Sequence, residues 1–167
     1  DCELIYTNEN ILHNTNPSLM GKDQFENACL AATSLQFLNG FNVLDENIKQ
    51  GIEQTTWFGR NEIIQKEPKV IFDVGHNESG IKGFLDYFNT INNTGTSVLI
   101  LSLQRRKNIM NIVSQIFKSF DVIICCETKN LRTMTIDEIS FQMGKSEKII
   151  YIKSPIDAIH KGLTLLK

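Results

Sequence analysis

The chain has no long apolar run, no surplus of basic residues and no recognisable secretory leader. None of its apolar runs approaches the roughly 18 residues that span a bilayer. The formal net charge of −2 gives no basic footprint for nucleic acid. The amino terminus, DCELIYTNEN, is acidic and lacks the basic-then-apolar layout of a signal peptide. We therefore expect no membrane contact and no nucleic-acid partner.

The chain also lacks a cysteine pattern typical of a metal or redox site, although it has four cysteines: Cys2, Cys29, Cys125 and Cys126. None forms a C-x-x-C pair, and no histidine lies near them at the spacing of metal ligands. Cys125 and Cys126 close the apolar run DVIICC, where we expect small buried thiols. We predict no metal site in this chain, and a reduced, cytoplasmic setting is the simplest account.

The chain opens on Asp1 without a methionine and stops on Lys167, so we expect a fragment. Its 167 residues can hold one domain, or one domain and a piece of another. Charged residues at 22% and hydrophobic residues at 41% are typical of a soluble globular protein.

The first third of the chain is predicted to be mainly helical. Two short apolar pieces, at residues 4–6 and 11–12, could pair as a weak hairpin. A helix is predicted within residues 21–40, because apolar residues recur there at steps of three and four between Gly21 and Gly40. A second helix follows, with Asp45 as the candidate N-cap.

From Trp57 onward, short apolar strands alternate with amphipathic helices. The predicted strands are VIFD (70–73), SVLILSL (97–103), DVIICCE (121–127) and KIIYI (148–152). The predicted helices cover residues 79–91, 107–120, 135–143 and 155–166, with Thr135 as an N-cap and Pro155 in a first turn. This order predicts an α/β, Rossmann-like, mostly parallel sheet with helices on both faces.

Ligands of such sheets gather at the carboxyl ends of the strands. Asp73 ends the strand VIFD, and His76 and Asn77 follow in a loop that contains Gly75. An aspartate there can bind ribose hydroxyls, but it can also cap the turn. His76 can approach a phosphate, or it can be an exposed loop side chain.

Two further polar residues lie upstream. Arg60 follows Gly59, and its planar guanidinium suits phosphate oxygens, although it could instead pair with Glu62 on the surface. Asn27 lies within a predicted helix, where asparagine is a poor helix former, so it is either kept for a contact or simply faces solvent. Each signal is weak alone.

Together, three segments resemble the carboxyl-terminal part of the folylpolyglutamate synthase and dihydrofolate synthase family, within the Mur ligase superfamily. That family typically shows Gly-x-His-Gln-x-x-Asn-Ala, Trp-Pro-Gly-Arg-x-Glu, and a strand into Asp-Gly-Ala-His-Asn-Pro. The matching residues here are Gly21, Gln24, Asn27 and Ala28, then Trp57, Gly59, Arg60 and Glu62, then Asp73, His76 and Asn77.

The sequence departs from the family pattern at several loop positions. Asp23 replaces the histidine of the first segment and Phe58 the proline of the second; Val74, Gly75 and Glu78 differ in the third. The loop after the second predicted strand reads QRRKN, where the family often has Asp-Lys-Asp. That change weakens an assignment of amino-acid binding to this loop.

The resemblance implies an ATP-dependent amide ligase that forms an acyl phosphate and adds L-glutamate to dihydropteroate, to a reduced folate or to both. It implies that Asn27 contacts the adenine, Arg60 the terminal phosphate and Asp73 the ribose. His76 and Asn77 would shape the nucleotide and acyl-phosphate region, with Arg60 and His76 in catalytic roles. A monomer with ATP and magnesium (Mg2+) as cofactors is implied.

By the same resemblance, residues 1–56 would end a central ATPase domain, mainly helical, and residues 57–167 would form the carboxyl-terminal Rossmann-like domain with its last strand truncated. No G-x-x-x-x-G-K-[ST] motif occurs in the sequence, so the P-loop and the magnesium ligands are expected upstream. We expect the isolated fragment to have no ligase activity.

Three alternatives remain at this point. One is another Mur-type ligase, acting on a cell-wall precursor or in cyanophycin synthesis. A second is a non-catalytic Rossmann-like module that binds a nucleotide or a partner protein. A conventional dinucleotide-binding dehydrogenase domain is disfavoured, because no strand leads into G-x-G-x-x-G.

Overall fold

The computed structural model describes residues 4–8, 11–91 and 94–166. The chain divides into two compact units. The first contains Asp1–Ile64 and Ile71–Asp73, and the second contains Gln65–Val70 and Val74–Lys167. No helix in the described ranges is both long enough and apolar enough to cross a membrane.

The first unit begins with a β-hairpin and continues with two helices. Strands β1 (Leu4–Asn8) and β2 (Ile11–Thr15) pair antiparallel, which confirms the predicted hairpin. Helices α1 (Lys22–Gln36) and α2 (Asp45–Gln54) follow. The N-cap of α2 is Leu44 and not Asp45, because the backbone of Leu44 is extended (φ −78°, ψ 149°) and its carbonyl accepts from the N–H of Ile48 at 3.2 Å.

The two helices share a small apolar core. Ala32, Ile48 and Ile52 are buried, and the partly buried side chains packed on them include Phe25, Ala28 and Leu35. These α1 residues are among those whose spacing predicted the helix. Leu38, which lies within the range predicted as helix, comes after the last helical residue and is exposed.

The strand predicted at residues 70–73 is present, but its pairing differs from the prediction. Strand β4 (Val70–Phe72) pairs with β3 (Glu62–Gln65) in a two-stranded sheet and not with the parallel sheet. A four-residue connection closes this pairing at little entropic cost. The partner strand β3 contains the β-branched pair Ile63–Ile64, and no strand was predicted there from the sequence.

The second unit alternates helices with a parallel sheet. Its elements are α3 (Glu78–Phe88), β5 (Val98–Leu101), α4 (Val113–Ser119), β6 (Val122–Cys125), α5 (Ile136–Met143), β7 (Ile149–Tyr151) and α6 (Pro155–Leu165). The strand order is β5-β6-β7, with β6 parallel to both neighbours.

Helices cover both faces of this sheet, as the apolar strands predicted. Ile123 and Cys125 of β6 belong to a core with residues of α3, α4 and α5. Ile124 and Cys126 belong to a separate cluster with Ala158 of α6. Successive strand residues point to opposite faces, so one strand serves both cores. The predicted α/β class is confirmed.

Two predictions about helix starts had different outcomes. Thr135 caps α5 as expected: its Oγ1 accepts from the N–H of Glu138, and Glu138 Oε2 accepts from the N–H of Thr135 at 2.7 Å. Helix α4 starts at Val113, six residues later than predicted. Ile109 and Ile112 lie before the helix and are buried there. Their apolar character reflects this burial and not a position on the face of a helix.

The paired cysteines are buried, as expected. Burial, together with the neighbouring Cys126 thiol, raises the pKa of Cys125 to about 12. Cys29 is also a free thiol, whereas Cys2 lies outside the described residues.

Candidate functional site

The Trp57–Glu62 segment forms a tight turn with two left-handed residues. Gly59 has φ 72° and Asn61 has φ 48°, one on each side of Arg60. Glycine adopts this conformation without steric cost, and asparagine tolerates it better than most residues. The N–H of Gly59 donates to Glu62 Oε2 at 2.8 Å and closes the turn. The local sequence therefore fixes the backbone direction at Arg60.

Arg60 is half-buried and is not paired with Glu62, the surface alternative that the sequence allowed. Glu62 instead accepts the hydrogen bond from Gly59. Within the described residues, the guanidinium of Arg60 has no ion pair and no hydrogen bond. An anion arriving at this guanidinium would not have to displace a carboxylate.

Asp73 is joined to the Arg60 turn through Asn61. The N–H of Asn61, in the peptide group that links Arg60 to Asn61, donates to Asp73 Oδ2 at 3.0 Å. The side chain of Asn61 reaches in another direction, and its Nδ2 donates to the carbonyl of Met20 at 2.7 Å. One residue thus connects the end of β4, the Arg60 turn and the segment before α1.

Asn61 was missed by sequence reasoning. It is only 7% exposed, and its Oδ1 is buried with no partner among the described atoms. The available signal was an asparagine inside a tight turn, since asparagine is favoured where the backbone must turn left-handed. The hydrogen bond from Asn61 to Met20 joins residues 41 positions apart, and a single sequence gives no signal for such a contact.

Asn27 lies on α1 and lines a cavity of about 350 Å³ between α1 and α2. Its Nδ2 donates weakly to Gln24 Oε1 at 3.4 Å, so the amide is not locked by strong bonds. The cavity wall is mainly apolar. Its polar side chains are Gln24, Asn27, Asn47 and Thr55, and its apolar ones include Ala28, Ala31, Ala32, Leu35, Ile48 and Ile52. Such a cavity suits a flat, partly apolar ring with a polar edge.

His76 and Asn77 belong to the second unit and directly precede its first helix, α3. His76 Nδ1 lies 3.1 Å from the carbonyl of Val74. A carbonyl only accepts, so Nδ1 carries the proton and Nε2 is left to act on another molecule. Asn77 caps α3, because its Oδ1 accepts from the N–H of Gly80 at 2.8 Å. Within the part of the chain that the structure describes, Asn77 Nδ2 has no hydrogen-bond partner, so it can donate to a ligand.

The loop after β5, which contains the sequence QRRKN, lines a second and more open cavity of about 620 Å³. Arg105 there is paired with Glu138, Nε to Oε2 at 3.2 Å. Arg106 adopts φ 66°. The cavity wall also contains Asp137 and Phe141. The Arg-Arg-Lys cluster at residues 105–107 therefore lies in a loop that precedes α4.

The structure thus groups the predicted residues by unit. Arg60 and Asp73 are connected through Asn61, and Asn27 lies on a helix of the same unit. His76 and Asn77 follow Asp73 by three and four residues along the chain. In the described ranges, no group of three or more His, Cys, Asp or Glu side chains is arranged to hold a metal ion.

Comparisons with known proteins relate the chain to folate ligases of known sequence and structure. A dihydrofolate synthase/folylpolyglutamate synthase of Bacillus subtilis (strain 168) is 27% identical over 126 residues, which covers 69% of this chain and 29% of that protein. The solved Mycobacterium tuberculosis folylpolyglutamate synthase complexed with ADP and AMPPCP has a TM-score of 0.84 at 20% identity, over 98% of this chain and 40% of that one. Escherichia coli FolC in complex with DHPP and ADP has a TM-score of 0.80 at 22% identity, over 93% and 36%.

The chain spans about a third of the length of these relatives. The family model described as "Mur ligase, glutamate ligase domain" matches residues 59–167, well over half of the chain. That match begins in the Arg60 turn and runs through the parallel sheet to the last residue. The chain therefore belongs to the Mur ligase family, through its glutamate ligase domain.

Proposed function

We propose that this chain is the carboxyl-terminal part of an ATP-dependent amide ligase that adds L-glutamate to dihydropteroate, to a reduced folate or to both. The observation that carries the proposal is the Asn61 link, which holds Arg60 and Asp73 together beside the start of α1. The curated relatives support the folate branch, since they are named dihydrofolate synthase/folylpolyglutamate synthase.

In this proposal the cavity between α1 and α2 receives the adenine of ATP. Its volume of about 350 Å³ and its apolar wall suit a flat base. The amide of Asn27 can donate to and accept from the edge of that base. Asp73 accepts from the ribose hydroxyls, and its carboxylate is held in place by the N–H of Asn61.

Arg60 acts on the terminal phosphate. Negative charge on the phosphoryl oxygens must be stabilised as the group transfers, and a guanidinium placed there in advance lowers the barrier. The absence of an ion pair at Arg60 within the described residues supports this role, because its charge is not already neutralised. The two left-handed residues beside it hold the backbone from which it extends.

His76 and Asn77 act at the nucleotide and acyl-phosphate region. The hydrogen bond from His76 Nδ1 to the carbonyl of Val74 leaves Nε2 as the ring nitrogen that can contact a substrate. Asn77 uses Oδ1 for the cap of α3 and keeps its Nδ2 donor for substrate. The acyl phosphate makes the substrate carboxylate reactive toward the amino group of glutamate.

Magnesium is needed in this scheme to neutralise phosphate charge, and the described residues offer no acidic cluster for it. We assign its ligands, and the P-loop, to the part of the ligase that this chain does not include. Residues 1–56 then belong to the central ATPase domain and residues 57–167 to the carboxyl-terminal domain. The monomeric state and the cytoplasmic setting stay predictions from the sequence.

The test uses the full-length protein. ADP release is followed with L-glutamate present and with dihydropteroate, tetrahydrofolate or a UDP-muramoyl acceptor in separate reactions. We expect turnover with one or both pterin acceptors. Turnover with only the muramoyl acceptor would assign the protein to cell-wall synthesis. ATP binding without turnover on any acceptor would favour a non-catalytic module.

A further inference from the structure

We propose that Asn61 is a positioning residue, which fixes the Arg60 turn and the carboxylate of Asp73 to the segment that starts α1. The motif Trp-Pro-Gly-Arg-x-Glu leaves this position open, so the residue type there is a property of this chain. The inference rests on the proposed function, because its effect is read in nucleotide affinity and turnover.

Two hydrogen bonds from one residue make the connection. The backbone N–H of Asn61 donates to Asp73 Oδ2 at 3.0 Å, and the side-chain Nδ2 donates to the carbonyl of Met20 at 2.7 Å. The first bond ties the turn to the end of β4. The second ties it to the residue before Gly21, which is the N-cap of α1.

The presence of asparagine rather than glycine at position 61 indicates that the hydrogen bond of its side chain to Met20 matters. At φ 48°, glycine would fit the backbone without strain and would bury no polar side chain. Asparagine instead leaves a buried Oδ1 with no partner among the described atoms, which costs free energy. The bond from Nδ2 to Met20 is what the asparagine contributes in return.

The bond from Asn61 Nδ2 to Met20 matters for function because Asn61 is in turn connected to both functional residues. It follows Arg60 in the chain, and its N–H donates to Asp73. The peptide group donating to Asp73 also carries the backbone of Arg60. If the side-chain anchor at Met20 is lost, the turn can shift relative to α1, and both functional side chains shift with it. Small displacements of groups that bind or stabilise a transferring phosphoryl group reduce rates steeply.

The experiment uses three variants of the full-length protein. Asn61→Gly keeps the backbone conformation and the N–H to Asp73 but removes the amide. Asn61→Asp keeps the size but turns a carboxylate oxygen toward the Met20 carbonyl, which repels it. Asn89→Gly is the control, since Asn89 is an exposed residue at the end of α3 with φ −69°, where glycine adds no strain.

The affinity for ADP is measured by calorimetry and kcat/KM for ATP by turnover, at a temperature where circular dichroism shows every variant folded. We expect Asn61→Gly to weaken ADP binding about fivefold, equivalent to one hydrogen bond of average strength. Asn61→Asp should weaken it further, and Asn89→Gly should match the wild type. A lower melting temperature with unchanged ADP affinity and kcat/KM would overturn the proposal.

A second readout separates this inference from the proposed function. In Asn61→Gly, hydrogen exchange of the backbone N–H at position 61 should quicken, because the turn that holds it against Asp73 has lost its anchor. Unchanged exchange there would overturn the positioning role whether or not the protein is a ligase. A wild-type protein that binds no nucleotide would contradict the proposed function alone.

Discussion

Replacing Gly80, in the first turn of α3, with alanine is predicted to destabilise the helix, although alanine is normally the better helix former. A Cβ at this position would lie 3.1 Å from Gly75 Cα and 3.2 Å from Asn77 Oδ1. The first neighbour is backbone and cannot rotate away. The second is the atom that caps α3, so the added methyl group also presses on the cap.

The expected change in the stability of α3 is the sum of one favourable and two unfavourable contributions. Alanine has the better helix propensity, by about 1 kcal/mol. Overpacking against fixed atoms costs about 1–3 kcal/mol. Losing an asparagine cap costs about 1 kcal/mol. We therefore expect Gly80→Ala to destabilise α3 by about 1–3 kcal/mol.

Two other helical glycines supply matched controls. A Cβ added to Gly51 in α2 would meet nothing within 4 Å, so Gly51→Ala should stabilise α2 by up to about 1 kcal/mol. At Gly162 in α6 the near contact, at 3.1 Å, is Ile100 Cδ1, the movable end of a side chain. Gly162→Ala should therefore change stability little.

Hydrogen exchange of the full-length protein, read in the peptides that cover each helix, measures these effects locally. Exchange in residues 78–88 should quicken in Gly80→Ala, and exchange in residues 45–54 should slow in Gly51→Ala. If hydrogen exchange slowed equally in both helices, the reasoning would be refuted, because helix propensity alone would then determine the effect of alanine at Gly80 and at Gly51. Gly80→Ala should also lower turnover, since the strained loop carries His76.

The remaining predictions concern charge and thiol chemistry. Arg60→Ala in the full-length protein should lower kcat more than it raises KM for ATP, because the proposed contact of Arg60 with the terminal phosphate would strengthen in the transition state; an unchanged kcat would remove Arg60 from that role. Asp73→Ala should act mainly on ATP affinity, and titration calorimetry that shows wild-type affinity would contradict the ribose assignment. Hydrogen bonds from the backbone and side chain of Ser97 hold the pKa of Asp121 below its ordinary value of 3.8. The stability that this carboxylate contributes is therefore present above pH 3.8, and it is lost as the pH falls through the lower pKa of the folded state. The stability of Asp121→Asn, measured from unfolding curves, should depend less on acid pH than that of the wild type. An identical pH dependence would argue against the contact with Ser97. With its pKa raised to about 12, the Cys125 thiol should resist alkylation at pH 8 until the protein unfolds, whereas modification in the folded state would show that the thiol is accessible.

Local features of the fold were predictable where sequence and burial agree. Thr135 and Glu138 form the expected cap, and the run DVIICC is a central strand because apolar residues on both of its faces are buried. The start of α4 was not predictable, since Ile109 and Ile112 have helical spacing but are buried in turns. Tertiary burial outweighed periodicity there.

The pairing of β4 with β3 illustrates a second limit. An apolar strand followed by a helix fits a parallel sheet, but Ile63 and Ile64 offered a partner only a short loop away. Of the candidate site, Arg60, Asp73, His76 and Asn77 could be proposed from the sequence because they follow turns and strand ends, and their roles stay predictions. Asn61 was not found, because its contact with Met20 depends on how distant segments pack.

The most direct test of the central claim is mass spectrometry of the product formed by the full-length protein with ATP, magnesium, L-glutamate and a pterin acceptor. The account predicts an acceptor heavier by one glutamyl residue, formed only when ATP is present and greatly reduced in Arg60→Ala. Hydrolysis of ATP with no glutamylated acceptor, or a product that forms equally well in Arg60→Ala, would contradict it.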